Sequence, residues 1–430
     1  MNKTLLVSSL VVVGVALAGA SAMLVADRQI DAALAQLQDS AAASSILIAV
    51  SDDQSSFIER HLVLTASVEQ ADQRVTLVID NNIQKRPWGA RIEHRLHFDA
   101  SLLTWVDDAQ NQALLRTLLI DQDVMTGTTK IGLTGDYQSD WLGIGIEEQI
   151  EQATVRVSPL RLAITGDPSG KFSMTGSWPG ATVTVDEPEQ VAMVMRPLSF
   201  QSEGRYIGGS VFVGEQSTSG DGMSFDLTSE LAQVHYQVGA YSIQSNSQVT
   251  DERLAMDLSF QVDQVSLDDG EAPVDIKDIL LALSMTGSSV QNLQSLSQNL
   301  NAMQISGEAS PALMEDINVF LRTGFVFALS QLQATLDGQA IALQASFEMP
   351  ENAVADVNNP FSMLSLVSSL KADAHLELAG GLSESTLLAE PFNNLMMTGV
   401  LVENGADYQV DFKLADGSAL LNGEPLPLPF

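Results

Sequence analysis

From about Phe57 onward, apolar and polar side chains alternate at every second position in one segment after another, and few folds accept such a chain. Leu62, Leu64, Ala66 and Val68 interleave with Val63, Thr65 and Ser67, and Val75, Leu77 and Ile79 follow, then Ile92, His94, Leu96 and Phe98. Met256, Leu258, Phe260 and Val262 alternate with Asp257, Ser259, Gln261 and Asp263, while Ala372, Ala374, Leu376 and Leu378 alternate with Asp373, His375 and Glu377. A period of two puts one greasy and one wet face on a strand, the pattern of antiparallel sheets. Asp221-Gly222, Asp269-Gly270, Asp337-Gly338, Asn404-Gly405, Asp416-Gly417 and Asn422-Gly423 read as hairpin turns between such strands. The expected class is mainly β with a few helices (α+β): a long antiparallel meander, sandwich or taco-like sheet preceded by an N-terminal transmembrane helix.

Helical spacing appears in four places. Leu103, Val106, Ala109, Ala113, Leu114 and Leu118 form a stripe within Leu102–Ile120, and Val290, Leu293, Leu296, Leu300 and Met303 form one within Ser288–Met303. Ser310-Pro311 opens a third helix, serine as N-cap and proline at the first position. Phe361–Leu370 is the fourth. No linker or repeat divides the body, which reads as one unit over 57–430 with a seam near 190–205 or 250, inside the 190–250 stretch.

Ahead of this body, Thr4–Ala26 is a run of 23 residues without a charge, about 34 Å as a helix and long enough for a hydrocarbon core of about 30 Å. Leu5, Leu6, Leu10, Val11, Val12, Val13, Val15, Leu17, Leu24 and Val25 would face lipid, and Lys3 on the short side predicts export of everything after Asp27. Residues 1–26 therefore read as a signal anchor. Ala20-Ser21-Ala22 is also a cleavage-site pattern, so a removed signal peptide is the alternative. Gly14, Ala18 and Ala22 line one smooth helix face, although small residues also crowd the ends of signal sequences. Ile30, Leu34, Leu37 and Ala41 then give residues 27–50 the stripe of a juxtamembrane amphipathic helix.

Charge narrows the partners. The chain has 54 acidic and 20 basic residues, a net of −34, and from Leu254 onward only 4 bases stand against 23 acids. That field repels phosphate backbones, which excludes nucleic acid as a natural partner. The absence of cysteine excludes disulfides, thiol catalysis and iron–sulfur sites.

The search for chemistry returns little. Of five histidines only His94 and His97 are close, and a strand over Ile92–Phe98 sends them to opposite faces. The acidic run Asp263–Asp278 lacks the ligand register of a calcium loop, with isoleucine at 276 where the glutamate belongs, and reads as a solvated hairpin. No nucleophile elbow, phosphate loop, dinucleotide fingerprint or zinc helix is present, so neither a catalytic residue nor a cofactor or metal is assigned. One basic cluster departs from the acidity: Lys85, Arg86 and Arg91, with Arg95, around Pro87-Trp88-Gly89. It suits lipid headgroups or an acidic partner, against the ordinary alternative of pairing with nearby acids.

The closing segment from Tyr408 to Leu428, with Asp416-Gly417 and Asn422-Gly423 in strand–turn–strand order, resembles the terminus of the YdgA-like family of bacterial envelope proteins. The run Leu254–Leu267, the apolar strand to Met285 and the helical Gln291–Met303 are similar as well. One departure stands: family members carry a His-Gly-Pro-aromatic turn, replaced here by Lys85-Arg86-Pro87-Trp88, so no role tied to that histidine transfers. The resemblance implies an inner-membrane protein facing the periplasm with no assigned reaction. The expectation is a non-enzymatic, membrane-tethered protein that binds or scaffolds envelope components. A lipid-binding groove, by analogy with AsmA-like architecture, and a hydrolase of envelope polymers are the alternatives.

Overall fold

The structure, a computed structural model, describes residues 46–427 apart from 71–72, 106–111, 114, 151, 187–189, 208–210, 230–232, 271–272, 307–309, 352–367 and 386. The expected anchor therefore lies outside the described residues, as do most of the 27–50 segment and of Phe361–Leu370.

All strands join one antiparallel sheet. It opens as a meander of β1 (Ile46–Ser55), β2 (Glu59–Gln70), β3 (Gln73–Arg86), β4 (Gly89–Phe98), β5 (Met125–Gly132) and β6 (Tyr137–Gly143). The body thus starts at Ile46, earlier than Phe57, because Ile46–Val68 and Ile48–Ala66 already pair. Next come β7 (Ile146–Ile150), β8 (Ala153–Val157), β9 (Arg161–Gly166), β10 (Lys171–Trp178), β11 (Ala181–Val185), β12 (Gln190–Met195), β13 (Leu198–Ile207), β14 (Val211–Gly220), β15 (Met223–Thr228), β16 (Gln233–Val238) and β17 (Tyr241–Thr250). The long β18 (Arg253–Asp268) and β19 (Val274–Ser289) follow. After a helical hairpin come β20 (Phe325–Leu336), β21 (Gln339–Met349), β22 (Lys371–Leu378), β23 (Val402–Asn404), β24 (Asp407–Ala415), β25 (Ser418–Leu421) and β26 (Glu424–Leu426).

The middle strands are halves of longer ones, broken along a single line. One lane runs β6-β9-β10-β13-β14-β17-β18 and a parallel lane runs β7-β8-β11-β12-β15-β16-β18, the two halves of β18 closing both. Between the lanes lie Pro179-Gly180, Arg196-Pro197, Asp221-Gly222 and Gly239-Ala240, stitched across by Arg196 N–H to the Gly222 carbonyl (3.0 Å) and Asp221 N–H to the Pro197 carbonyl (2.9 Å). Asp221-Gly222 is therefore a crease within one strand, correcting its reading as a hairpin. The neighbouring carbonyls come too close for a side chain: a Cβ on Gly222 (φ 98°) would lie 2.2 Å from the Val238 oxygen. The 190–205 and 250 regions lie inside this continuous sheet.

Among the described residues, three helices flank the sheet: α1 (Val290–Ser306), α2 (Pro311–Thr323) and α3 (Ala389–Met397). Ser310 caps α2 as expected, its Oγ accepting from Leu313 N–H at 3.1 Å. Asp316 of α2 accepts hydrogen bonds from Ser295 and Asn299 of α1. Of the helix expected over Leu102–Ile120, the described residues show a 3₁₀ turn at Ala100–Trp105, helical backbone at Gln112, Ala113 and Leu115, and a π turn at Arg116–Ile120, while 106–111 and 114 lie outside the described residues. Its start is fastened to β3: Asp99 N–H bonds the Thr76 carbonyl and Thr76 N–H bonds Ser101 Oγ.

Burial is concentrated at the N-terminal end. Leu62, Leu64, Leu77, Ile79, Ile92, Leu96 and Phe98 form a closed core that reaches Trp141 and Ile164. A smaller core joins Leu336, Leu382, Phe392 and Leu401 beneath α3.

Candidate functional site

The sheet has one apolar face, and it is continuous. Across the first lane it passes through Phe172, Met174 and Trp178, then Leu198 and Phe200, Gly220 and Thr218 of β14, Tyr241 and Ile243, Leu258 and Phe260, Leu281 and Leu283, with the uncharged Ser202, Gln216 and Ser245 standing in register between Met174 and Leu258. It continues through Leu329, Leu343, Leu376 and Val410. The second lane carries Val183, Met193, Phe225, Tyr236 and Leu267 in one row. Both lanes are apolar on the same side. Ile276 stands opposite Leu336 and Leu281 opposite Leu332, and Leu332 and Leu336 share a face of unbroken β20. Directly paired residues point the same way, so the face crosses the crease. From β9 to β22 and on β24 no charged residue occupies it in the register, although the chain holds 54 acids; Glu403 of the short β23, opposite Tyr408, is an exception at the margin.

Most of this face beyond the N-terminal core is half-buried, and Ile243, Met256 and Phe327 are more exposed still. Its rings lie low. Trp141 covers Gly127, Tyr137 covers Gly166, Phe200 covers Gly176 and Tyr241 covers Gly220, each glycine directly opposite its ring. A Cβ on any of these glycines would stand 2.0–2.6 Å from ring atoms. A ring spread over the backbone leaves the space above it free, and the pairing needs glycine because no other residue lets the ring down.

The opposite face carries the charges. His375 Nδ1 lies 2.6 Å from Asp411 and its Nε2 3.0 Å from Glu377. His235 Nδ1 lies 2.5 Å from Asp226, in a row with Asp268. These carboxylates hold both imidazoles above the usual range, Glu377 acting most on His375 and Asp226 on His235. The cleft of about 530 Å³ around His375, Asp411 and Lys413 is shallow and open.

His94 differs. It is 1% exposed and stacks on Trp141 at 4.7 Å. Trp141 Nε1 donates to Ser139 Oγ (2.7 Å), which contacts Thr129 Oγ1 (2.6 Å), which contacts His94 Nε2 (2.8 Å). On the other side Asn81 Nδ2 donates to the Leu62 carbonyl, leaving Asn81 Oδ1 to accept from His94 Nδ1 at 2.7 Å. Indole can only donate and the asparagine oxygen only accept, so the chain has one proton order and His94 is the neutral Nδ1–H tautomer. Burial pushes its pKa down to about 3.

The residues singled out from sequence fall into place unevenly. His94 and His97 face opposite ways, as expected for β4. The acidic run is the hairpin between β18 and β19, and no cluster of metal-binding side chains occurs among the described residues. Arg91 pairs with Glu93 at 3.3 Å, the ordinary fate of a surface base. Lys85 reaches Ser55 Oγ and the Ser56 carbonyl, both at 3.1 Å, and Arg86 the Gln84 side chain at 3.5 Å. Trp88 is open to solvent. The low rings and the crease escaped the sequence reading, though alternation that skips from Trp178 to Ala181 and from Val262 to Val265 signals the crease. Among the described residues no helix is long and apolar enough to cross a membrane.

A sequence profile for the family described as "Bacterial protein of unknown function (DUF945)" matches residues 1–429. The chain belongs to this family. Neither curated proteins nor solved structures yield a match. Membership in this family of unknown function carries no reaction with it, and an account of what the chain does rests on the geometry of the apolar face.

Proposed function

We propose that this protein is a non-enzymatic binding protein of the bacterial envelope that holds acyl chains of lipids along the apolar face of its sheet. One observation carries the reading: an apolar face runs through both lanes, half-exposed and free of charge from β9 to β22, with its rings laid over glycines. Recognition on such a surface comes from apolar area and shape, which suits hydrocarbon chains and gives no foothold for polar substrates. The uncharged Thr4–Ala26 run and the YdgA-like closing segment support a body tethered to the inner membrane and facing the periplasm. Catalysis has no comparable support, since the histidines beside carboxylates lie in open clefts on the opposite face.

The test is lipid extraction and mass spectrometry of the purified full chain, beside the variants Ile243→Glu and Met256→Glu. Both side chains are more than a third exposed, so the fold should tolerate the change while the face acquires a charge. Bound lipid in the parent and its loss in the variants, with equal melting temperatures, is the expected result. A parent chain that carries no more lipid than an unrelated membrane protein rejects the reading, and leaves a segment of the chain itself as the cover of this face.

A further inference from the structure

Three consecutive hairpin tips stand side by side at one end of the N-terminal core. The β1–β2 tip carries Phe57 and Ile58, the β3–β4 tip Pro87 and Trp88, and the β5–β6 tip Leu133. They are bound to one another through the backbone: Lys85 N–H donates to the Ile58 carbonyl at 2.7 Å, and Gly89 pairs with Gly132. Alternate strands lie about 10 Å apart, so the tips form a single patch. Phe57 is 96% exposed, Ile58 61%, Trp88 65% and Leu133 74%. The patch is firmly supported, because Ile83, Ala90, Ile131 and Tyr137 are buried directly beneath it. Gly89 (φ 142°) holds the middle turn against the Ile131 carbonyl, where a Cβ would sit 1.9 Å away.

The charge around the tips runs against that of the chain. Lys85, Arg86 and Lys130 flank them, against Glu59 and Asp136, which leaves a local excess of base on a molecule of net charge −34. We infer that these three tips dock on an anionic bilayer, Phe57, Ile58, Trp88 and Leu133 entering the interface and the bases meeting lipid phosphates. Protruding turns from separate hairpins enter a soft interface more readily than they match a rigid protein surface, and tryptophan with flanking lysine and arginine is suited to the headgroup layer. This surface is distinct from the apolar face and does not depend on the lipid-holding role.

Trp88 is its own probe. The full chain is placed in vesicles of phosphatidylcholine and phosphatidylglycerol, with brominated lipid supplied either in the bilayer holding the protein or in added vesicles. The difference from the W88F variant isolates Trp88 among the four tryptophans. The expected result is at least about twofold quenching of the Trp88 share in one of the two arrangements, as for an indole seated in the interface. The triple variant K85E/R86E/K130E should lose it without a change in melting temperature. An unquenched Trp88 in both arrangements overturns the docking surface. Quenching that survives charge reversal, or that is equal in pure phosphatidylcholine, overturns the role of the bases.

Discussion

Replacing His94 by phenylalanine keeps a ring over Trp141 and removes both hydrogen bonds to the imidazole, leaving Asn81 Oδ1 without its donor and the Thr129 O–H without its acceptor in a dry core. Each unmet hydrogen bond costs about 1–3 kcal/mol, so H94F should lose about 2–6 kcal/mol in urea melts. The histidines also set opposed pH dependences. Burial pushes the His94 pKa down to about 3 from the ordinary 6.5, so the unfolded chain binds the extra proton. Its contribution is full above about pH 6.5 and drains away as pH falls toward 3. His235 and His375, held up by carboxylates, contribute fully below about pH 6.5, and that is lost as pH rises through their raised values. Urea midpoints measured against pH should therefore fall less on the alkaline side in H235Q/H375Q than in the parent, while ¹⁵N shifts of His94 should show the neutral Nδ1–H tautomer down to pH 4. A protonated His94 at pH 5 would refute the buried chain. Alternation alone placed His94 and His97 on opposite faces, but not this chain. Its members come from β3, β4, β5 and β6, and only the register brings them together.

Two turns at the level of elements invite substitution. Asp251 and Glu252 join β17 to β18 with φ of 51° and 62°, a left-handed pair without glycine. A glutamate pays for that conformation, so E252G should stabilise the protein by about 0.5–1 kcal/mol. At the crease the sign reverses. Gly222→Val drives a Cβ into the Val238 carbonyl at a φ that valine avoids, and a loss of about 3 kcal/mol or more is expected from thermal melts. If G222V melts with the parent, the crease is not a fixed feature. The turn dipeptides themselves were legible: Asp337-Gly338, Asp416-Gly417 and Asn422-Gly423 all form two-residue hairpin turns with positive φ. Asp221-Gly222 has the same chemistry and another use, because glycine supplies positive φ to a hairpin and to a bent strand alike. Which one forms depends on which strands then pair.

Along the first lane the described strands form a sheet of about 19 rows, about 85 Å from edge to edge at the usual strand spacing. Its C-terminal rows are integral to it. Tyr408, Val410, Phe412 and Leu414 stand opposite Leu378, Leu376, Ala374 and Ala372, and Tyr408 meets Phe392 of α3 edge to face at 5.0 Å. Removing residues 408–430 strips four half-buried side chains, about 3–6 kcal/mol, and bares β22 as an edge, so that form should aggregate and melt early. A truncation after Leu426 spares every strand pair and should melt like the parent. Near-equal melting of both would contradict the integral role of β24. The order of residues along the chain dictates the local chemistry: a period of two for strands, the Ser310-Pro311 start of α2, the tight turns and the Asp416 hairpin, all fixed by neighbours within a few residues. It did not determine which strands share an apolar face, where the sheet creases or which rings lie over which glycines. Those depend on register between residues far apart in the chain, where a shift of one residue sends every side chain to the other face, and only the assembled sheet fixes it.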